Sequence, residues 1–295
     1  MIALSLLLTP LVASSESEAK HKALFAVVPD VPVSAELSRD WLPIGVAFDL
    51  EKRLCRLPAL EAADRLAVAG ALQGNALGDE ASRVQAVTKG TGAGIVIYVS
   101  ASAKGQNLSL SADIWSKGQR VASLARKGAL EDLFGLIDGI IDDTVAELGK
   151  AGVDIGKSDS VPGLKWQPAR SVAAYEDLIS GMVLLQRGDV FRAKPLLLKT
   201  LSAEPDNWFA HYFLGAVMLY QGDIAKAAQY CREAISINAD FYPGVYANLS
   251  YCCAAMAEDK QAAWAKLEFE RRTGKPLPPR TVPGGMPPES FGMRP

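Results

Sequence analysis

Three groups of residues in this sequence have types and spacings that could support chemistry. Residues 90–94 (GTGAG) are glycine-rich, as phosphate-binding loops are, because glycine lets backbone N–H groups approach an anion. Asp138, Asp142 and Asp143 are close enough in sequence to share a metal ion. His211, one of only two histidines, could serve in a Ser-His-Asp triad. Each of these groups also has a purely structural explanation.

The sequence around the three groups favours the structural explanation in each case. A phosphate loop follows a strand and opens a helix, whereas residues 90–94 follow a helical pattern and enter a strand, which predicts a helix C-cap and a turn. The aspartates have helical spacing beside isoleucines, which predicts a solvated helix face. His211 precedes Tyr212 and Phe213, which predicts a packing or groove position. The sequence has no G-x-S-x-G nucleophile elbow, and we predict a protein that is not an enzyme and holds no cofactor or metal.

The composition is that of a folded protein of about two domains. Of the 295 residues, 49% are hydrophobic and 22% are charged, as in ordinary globular proteins. Lys plus Arg is 31 and Asp plus Glu is 33, so the net charge of −2 argues against a protein that binds nucleic acid. The cysteines at 55, 231, 252 and 253 form no C-x-x-C zinc pattern. We predict that they are buried in helices, with a disulfide as the alternative in an oxidising compartment.

The first residues are typical of an export signal. Residues 2–12 form an apolar run that is too short to span a bilayer, which needs about 20 residues, and small residues follow it. No Lys or Arg precedes the run, and a buried N-terminal strand or helix is the alternative. We predict a signal peptide at 1–19 and a periplasmic or otherwise exported protein, with a cytoplasmic protein as the alternative. No later apolar stretch is long enough to span a membrane, so we expect no span after signal removal.

Residues 20–148 alternate between strand and helix patterns and predict an α/β domain. Along the first helix, Asp49, Glu51, Lys52, Arg53 and Arg56 fall opposite the apolar positions, which predicts a solvent-facing side. Parallel strands followed by an antiparallel meander predict a mixed sheet with helices packed on it, in the order β-α-β-α-β-β-β-α. The predicted strands are 22–28, 62–67, 94–103, 108–116 and 120–126, and the predicted helices are 41–57, 79–89 and 131–148, with 70–78 as a loop.

This half of the chain resembles the TolB N-terminal-like domain found ahead of tetratricopeptide repeats in bacterial adenylate-cyclase-associated and envelope proteins. The resemblance covers roughly residues 22–148 and is carried by four segments: ALFAVVPD, WLPIGVAFDLEKRLCRLPAL, IVIYVSASAKGQNLSLSADIWSKGQ and EDLFGLIDGIIDDTVAEL. The family opens its first helix after a glycine, and Gly45 is the matching position. The sequence departs from the pattern at 67–78, which is rich in alanine and glycine. The resemblance implies an envelope assembly, transport or signalling context.

A repeat follows a Gly-, Ser- and Pro-rich segment, 149–170, that has the composition of a linker. Gly188, Asp189 and Ala193 recur 34 residues later as Gly222, Asp223 and Ala227, and 34 residues is the tetratricopeptide period. We predict an all-α tetratricopeptide array at 171–273 and a disordered tail at 274–295, which has seven prolines. Three units are predicted, at about 174–207, 208–241 and 243–276, the third with Ala257 in place of the turn glycine.

In such arrays the first helix of each pair lines a concave groove, and the predicted function depends on that groove. Exposed tyrosine, phenylalanine and methionine make good anchors for a peptide. We predict a non-enzymatic adaptor that binds a protein or peptide partner there; the alternative is a ligand-sensing regulatory protein whose α/β domain binds a small molecule. The predicted groove residues are Tyr175, Met182, Phe209, Tyr212, Ala216, Tyr220 and Tyr251.

Overall fold

The structure is a computed structural model that describes residues 22–31, 41–73, 78–153, 155, 167–239 and 242–279. The predicted signal peptide, most of the predicted linker and residues 280–295 of the predicted tail lie outside these residues.

The first half of the chain is a five-stranded mixed sheet with helices on both faces. The strand order is β2-β1-β3-β4-β5; β2, β1 and β3 are parallel, β4 is antiparallel to β3, and β5 is antiparallel to β4. The predicted mixed α/β class is therefore confirmed. The elements are β1 (Ala23–Pro29), α1 (Trp41–Leu54), β2 (Leu60–Ala62), α2 (Arg65–Gln73), α3 (Glu80–Thr91), β3 (Ile95–Lys104), β4 (Asn107–Ser116), β5 (Gln119–Ala129), a 3-10 turn (Leu130–Asp132) and α4 (Leu133–Lys150).

Alternation along the strands separates two apolar cores. Phe25 and Val27 of β1 face the core that contains α1 and α4, whereas Ala26 and Val28 face a smaller core that contains α3. Side chains of α2 pack at the edge of the smaller core. Burying both faces explains why β1 is a continuous apolar run, as parallel strands usually are.

Two local predictions are confirmed and two are wrong. Asp79 caps α3 by accepting from the Ser82 N–H, and Gly92 ends that helix with a positive φ of 74°. The second strand is predicted at 62–67 but runs from Leu60 to Ala62, and α2 already begins at Arg65. The predicted loop at 70–78 is wrong in its first part, because α2 runs from Arg65 to Gln73. Val68, Ala71 and Leu72 of α2 find apolar contacts on the sheet, and these contacts stabilise a helix that glycine content alone disfavours.

In the described part of the second half of the chain, three helix pairs follow one another, with turns 34 and then 35 residues apart. Gly188 and Gly222 both have φ near +80°, and Asp189 and Asp223, which follow them, cap the second helix of their pairs. The repeated Gly-Asp is thus one helix-turn-helix geometry used twice. The pairs are α5 (Val172–Gln186) with α6 (Val190–Ala203), α7 (Trp208–Tyr220) with α8 (Ile224–Ile237), and α9 (Gly244–Ala255) with α10 (Asp259–Thr273).

The third pair makes the same turn without glycine. Ala257 has a φ of +58°, which is unfavourable for an L-residue with a Cβ. Within the second pair, a Cβ at Gly215 would lie 3.4 Å from the Ala227 carbonyl oxygen, so the predicted close approach of these two helices is confirmed.

The two halves share one continuous apolar core. Helix α1 packs on the sheet through one side and on α5 through another, and buried side chains from both halves belong to the same cluster. Of the helices that the structure describes, none is both long and apolar enough to cross a membrane.

Candidate functional site

The inner face of the helix pairs, formed by α5, α7 and α9, carries the predicted groove residues. Tyr175, Met182, Phe209, Tyr212 and Ala216 are each at most 1% exposed. The prediction that these side chains line an open groove is therefore wrong for this structure. The reason is that other parts of the same chain cover the inner face.

Helix α1 covers the inner face of the first two pairs. The Trp41 and Tyr175 rings meet edge to face with centroids 5.8 Å apart, and the Phe48 and Phe209 rings do so at 5.4 Å. Gly45 lies inside α1 rather than before it, and a Cβ there would come within 2.9 Å of the Tyr175 hydroxyl oxygen. Aromatic residues that a peptide partner could have used are thus paired within the chain.

The charged side of α1 is part of this contact, so its predicted exposure to solvent is wrong for Asp49, Glu51 and Arg53, all of which are buried. The Glu51 carboxylate accepts from Arg65 Nε at 2.9 Å and from Lys52 Nζ at 3.1 Å. Although burial opposes it, the positive charges of Arg65 and Lys52 hold the pKa of Glu51 below its usual value. The Lys52 ammonium lies 4.9 Å from the centre of the Tyr242 ring, just before α9.

A second charged group lies between α1, α4 and α5; Arg53 and Asp49 have no exposed side-chain surface, and Asp138 is 30% exposed. Arg53, with no exposed side-chain surface, donates to Asp49 Oδ2 at 3.2 Å and to Asp138 Oδ1 of α4. The other oxygen of Asp49 and the hydroxyl of Tyr175 have no hydrogen-bond partner. Burial raises the pKa of Asp49 to about 7, with Arg53 acting against the rise. Burial and the nearby Asp49 also raise the pKa of Tyr175 well above its usual value.

The chain's own C-terminal segment covers the third pair. The Tyr251 hydroxyl donates to the Pro278 carbonyl oxygen, and the Leu277 N–H donates to Glu270 Oε1 at 3.2 Å. Lys275 lies 3.4 Å from Glu61, beside β2. The first residues of the segment predicted to be disordered, 274–279, therefore lie against α9, α10 and the edge of the sheet.

The outer face of the helix pairs carries the exposed apolar side chains. We call Phe191, Pro195 and Leu198 the α6 stripe, because they recur at i, i+4 and i+7 along α6 and are all exposed, Phe191 by 82%. Tyr220, the one predicted groove residue that is exposed, is 48% accessible and lies beside the turn before α6, with its hydroxyl 3.9 Å from the Cβ position of Gly188.

The α6 stripe has a basic border. Helix α6 contains Arg192, Lys194 and Lys199 and no acidic residue. The side chains of Arg192 and Lys199 are each 69% exposed even though they pair with Asp189 and Asp177. The stripe was missed at the sequence level because the groove argument considered only the first helix of each pair. The sequence does contain a signal for the stripe. Phe191 and Leu198 are seven residues apart, which is two helical turns, and they do not lie on the side of α6 that buries Ala193 and Leu197.

A polar cluster lies where β1 ends, beside the middle of β3. The Asp30 carboxylate accepts from the Tyr98 hydroxyl at 2.7 Å and from the Ser100 hydroxyl at 3.2 Å. Arg83 of α3 donates to the Tyr98 oxygen at 3.0 Å and lies 3.4 Å from Asp30. Burial and the hydrogen bond to Asp30 raise the pKa of Tyr98 above its usual value. Ligands of doubly wound sheets commonly bind at such a position, outside the carboxyl end of a parallel strand.

The remaining candidates of the sequence have structural contacts. Asp142 is exposed, and Asp143 is 38% exposed even though it pairs with Arg126, so these two are on a solvated face as predicted. Asp138 departs from the prediction, because it pairs with the buried Arg53. His211 Nε2 lies 2.9 Å from the Pro205 carbonyl oxygen. Among the residues that the structure describes, no group of three or more His, Cys, Asp or Glu is arranged to hold a metal ion.

The predicted burial of the cysteines in helices is confirmed for three of them and wrong for Cys55. Cys231, Cys252 and Cys253 are buried in the helix pairs, and burial raises the pKa of Cys231 well above its usual value. Cys55, just after α1, is a free exposed thiol.

No known protein-family model matches this chain, and no curated protein matches it in sequence. The function must therefore be argued from the two surfaces just described, the α6 stripe and the polar cluster of the sheet.

Proposed function

We propose that this chain is a non-enzymatic, exported adaptor that binds a protein or peptide partner through the outer face of its helix pairs. The apolar run at 2–12 supports export. The 34-residue period and the three helix pairs support a tetratricopeptide-type array. The mixed sheet ahead of it supports the likeness to a TolB N-terminal-like domain.

The observation that carries the binding proposal is the α6 stripe. A phenylalanine that is 82% exposed is costly to keep in water, and Pro195 and Leu198 extend the same apolar line one and two turns away. Arg192, Lys194 and Lys199 border the line with positive charge. The complementary partner is a polypeptide segment whose apolar side chains are flanked by Asp or Glu, because opposite charges at the border favour this partner over a basic one.

A selection of displayed random peptides on the whole chain tests this proposal. We expect the selected peptides to combine apolar and acidic residues and to bind less tightly as salt is added, since exposed charges are screened. Phe191→Glu should weaken binding of a selected peptide about 30-fold or more, the effect of losing an anchor worth about 2 kcal/mol.

Leu267→Glu is the matched control. Leu267 is also a large apolar side chain that is exposed, by 64%, but it lies on α10. It should leave the affinity unchanged. Binding that is equally sensitive to both substitutions, or peptides with no acidic preference, would contradict the assignment to α6. Failure to select any binding peptide would contradict the adaptor function itself.

The polar cluster of the sheet favours a second candidate function, a regulatory protein whose α/β domain binds a small molecule. Asp30 and Arg83 offer one negative and one positive group at the carboxyl end of a parallel strand, which suits a small zwitterion or a hydroxylated acid. A thermal-shift screen with amino acids and hydroxy acids tests this candidate. A hit should raise the melting temperature of the unaltered chain and lose its effect in Asp30→Ala, whereas a shift that survives Asp30→Ala would locate the ligand elsewhere.

A further inference from the structure

Residues 275–279, which we call the proline segment, lie against the rest of the chain as a bound peptide would. They follow α10 but belong to no helix or strand, and Gly274, with a φ of +67°, turns the chain back toward that helix. Their sequence is Lys-Pro-Leu-Pro-Pro. Proline fixes its own φ near about −65° and restricts the residue before it to extended backbone. The sequence therefore favours the polyproline II conformation before the segment makes any contact.

Both backbone donors of the proline segment have partners. Its three prolines have no N–H, so Lys275 and Leu277 supply the only backbone donors. The Lys275 N–H donates to Thr273 Oγ1, and the Leu277 N–H donates to Glu270 Oε1 of α10, each at 3.2 Å. The Leu277 side chain is partly buried and packs against the apolar core. Leu277 therefore anchors the segment with its backbone as well as its side chain.

Two side chains outside α10 contact the proline segment as well. The Tyr251 hydroxyl of α9 donates to the Pro278 carbonyl oxygen. Carbonyl groups of a polyproline II segment have no intramolecular partner, and aromatic-lined grooves commonly bind such segments. The Lys275 ammonium lies 3.4 Å from Glu61 Oε1 of β2, and both side chains are largely exposed. An exposed ion pair of this kind adds little affinity, but it selects for a positive charge.

The three side chains that hold the segment come from distant parts of the chain. Glu61 belongs to β2, which pairs with β1, whereas Tyr251 and Glu270 belong to α9 and α10, which pack on each other. We call these three residues the proline site. Because sheet pairing and helix packing position them, the site is a surface of the folded chain to which the proline segment is added.

We propose that the proline site recognises a Lys-Pro-x-Pro segment of another polypeptide, and that the chain's own proline segment occupies the site as an intramolecular competitor. The contacts define the ligand. It has a positive side chain for Glu61, a non-proline residue whose N–H reaches Glu270, and a following proline whose carbonyl oxygen reaches Tyr251. This surface is separate from the α6 stripe, so its function does not depend on the acidic and apolar partner proposed there.

A synthetic peptide of sequence GKPLPP, the sequence of residues 274–279, tests the proposal on the whole chain. The double variant Lys275→Ser, Leu277→Ser keeps the proline site and removes the two side chains that hold the chain's own segment in it. We expect the peptide to bind this variant about 10-fold more tightly than the unaltered chain, because a competitor on a short tether acts at millimolar effective concentration. Equal affinities for the two chains, or no binding to the variant, would overturn the proposal.

Further substitutions in the double variant locate the bound peptide. Tyr251→Phe keeps the ring and removes the O–H that reaches the proline carbonyl, so the affinity should fall about 5-fold, the effect of one hydrogen bond. Tyr230→Phe is the matched control, because Tyr230 is also partly buried but lies on α8, and it should leave the affinity unchanged. The peptide GEPLPP should bind more weakly than GKPLPP, since its glutamate repels Glu61. Equal losses in the two tyrosine variants, or equal binding of the two peptides, would contradict the assigned contacts.

Nuclear magnetic resonance of the unaltered chain gives an independent measurement if the double variant does not fold. An excess of GKPLPP, at about 10 mM or more, should displace the chain's own segment. The amide resonance of Leu277 should then move toward its position in an unstructured peptide, whereas that of Ile97, buried in β3, should stay in place. A Leu277 resonance that does not move would overturn the proposal. So would pairs of chains that exchange proline segments but bind no free peptide, because the occupant would then be a second copy.

Discussion

The inner and outer faces of the same helix pairs differ in solvent exposure. Phe209 on the inner face is 1% exposed and contacts Phe48 of α1, whereas Phe191 on the outer face is 82% exposed. Both are phenylalanines near the start of a helix of this array. Their difference comes entirely from what lies over them, because α1 from the first half of the chain covers one face and no described element covers the other.

This comparison teaches that an aromatic inner face is not in itself evidence of a peptide groove. The aromatic residues of α5 and α7 are matched by Trp41 and Phe48, and Glu51, Lys52 and Arg65 close the border of the contact. The array uses its inner face for intramolecular packing, whereas the side chains of the α6 stripe remain exposed.

The largest expected effect distinguishes the two phenylalanines. Phe209→Ala should lower the free energy of unfolding by about 3–5 kcal/mol, because it removes a buried ring from the contact with α1 and leaves a cavity. Phe191→Ala, its matched control, should change the free energy by less than about 0.5 kcal/mol, as surface substitutions usually do. Urea unfolding curves of both variants measure the difference, and equal losses would show that the inner and outer faces are not distinct.

A smaller effect tests how closely α5 approaches α1. Gly45→Ala puts a Cβ 2.9 Å from the Tyr175 hydroxyl oxygen and should cost about 1–3 kcal/mol by overpacking. Gly135→Ala is the matched control, because Gly135 of α4 has open space at its Cβ position, and a helix gains up to about 1 kcal/mol when glycine becomes alanine. Opposite signs in thermal unfolding support the close approach, and stabilisation by both substitutions would argue against it.

Much of the fold was predictable because its signals are local. Apolar runs and alternation predicted four of the five strands, whereas the second was predicted at 62–67 and lies at Leu60–Ala62. The repeated Gly-Asp of the helix turns predicted the 34-residue spacing of the first two pairs. The caps at Asp79 and Gly92 followed from residue type alone. Helix α2 was missed because contacts of Val68 and Leu72 with the sheet, rather than helix propensity, stabilise it.

The exposure of the groove residues was not predictable by the same arguments. Periodicity assigned Asp49 and Arg53 to a solvated side of α1, but a charge can be buried when its partner comes from a distant segment, here Asp138 of α4. Nor does any local pattern state that α1 packs on α5, since the two are more than a hundred residues apart. Whether a side chain is buried between the two halves depends on contacts between residues that are far apart in sequence. The pattern of a short sequence segment does not show such contacts.

The smallest expected effect compares the turns of the second and third helix pairs. Gly222 has a φ of +80° with open space around its Cβ position, and Ala257 occupies the corresponding turn with a φ of +58°. A Cβ in this left-handed region costs about 1–2 kcal/mol, and the greater chain entropy that glycine loses on folding offsets about half of that cost. Gly222→Ala should therefore lower the free energy of unfolding by about 0.5–1 kcal/mol, and Ala257→Gly should raise it by a similar amount. Urea unfolding midpoints, measured in one buffer, resolve differences of this size. If Ala257→Gly lowers the stability instead, the packing contacts of the Ala257 methyl group outweigh its backbone strain.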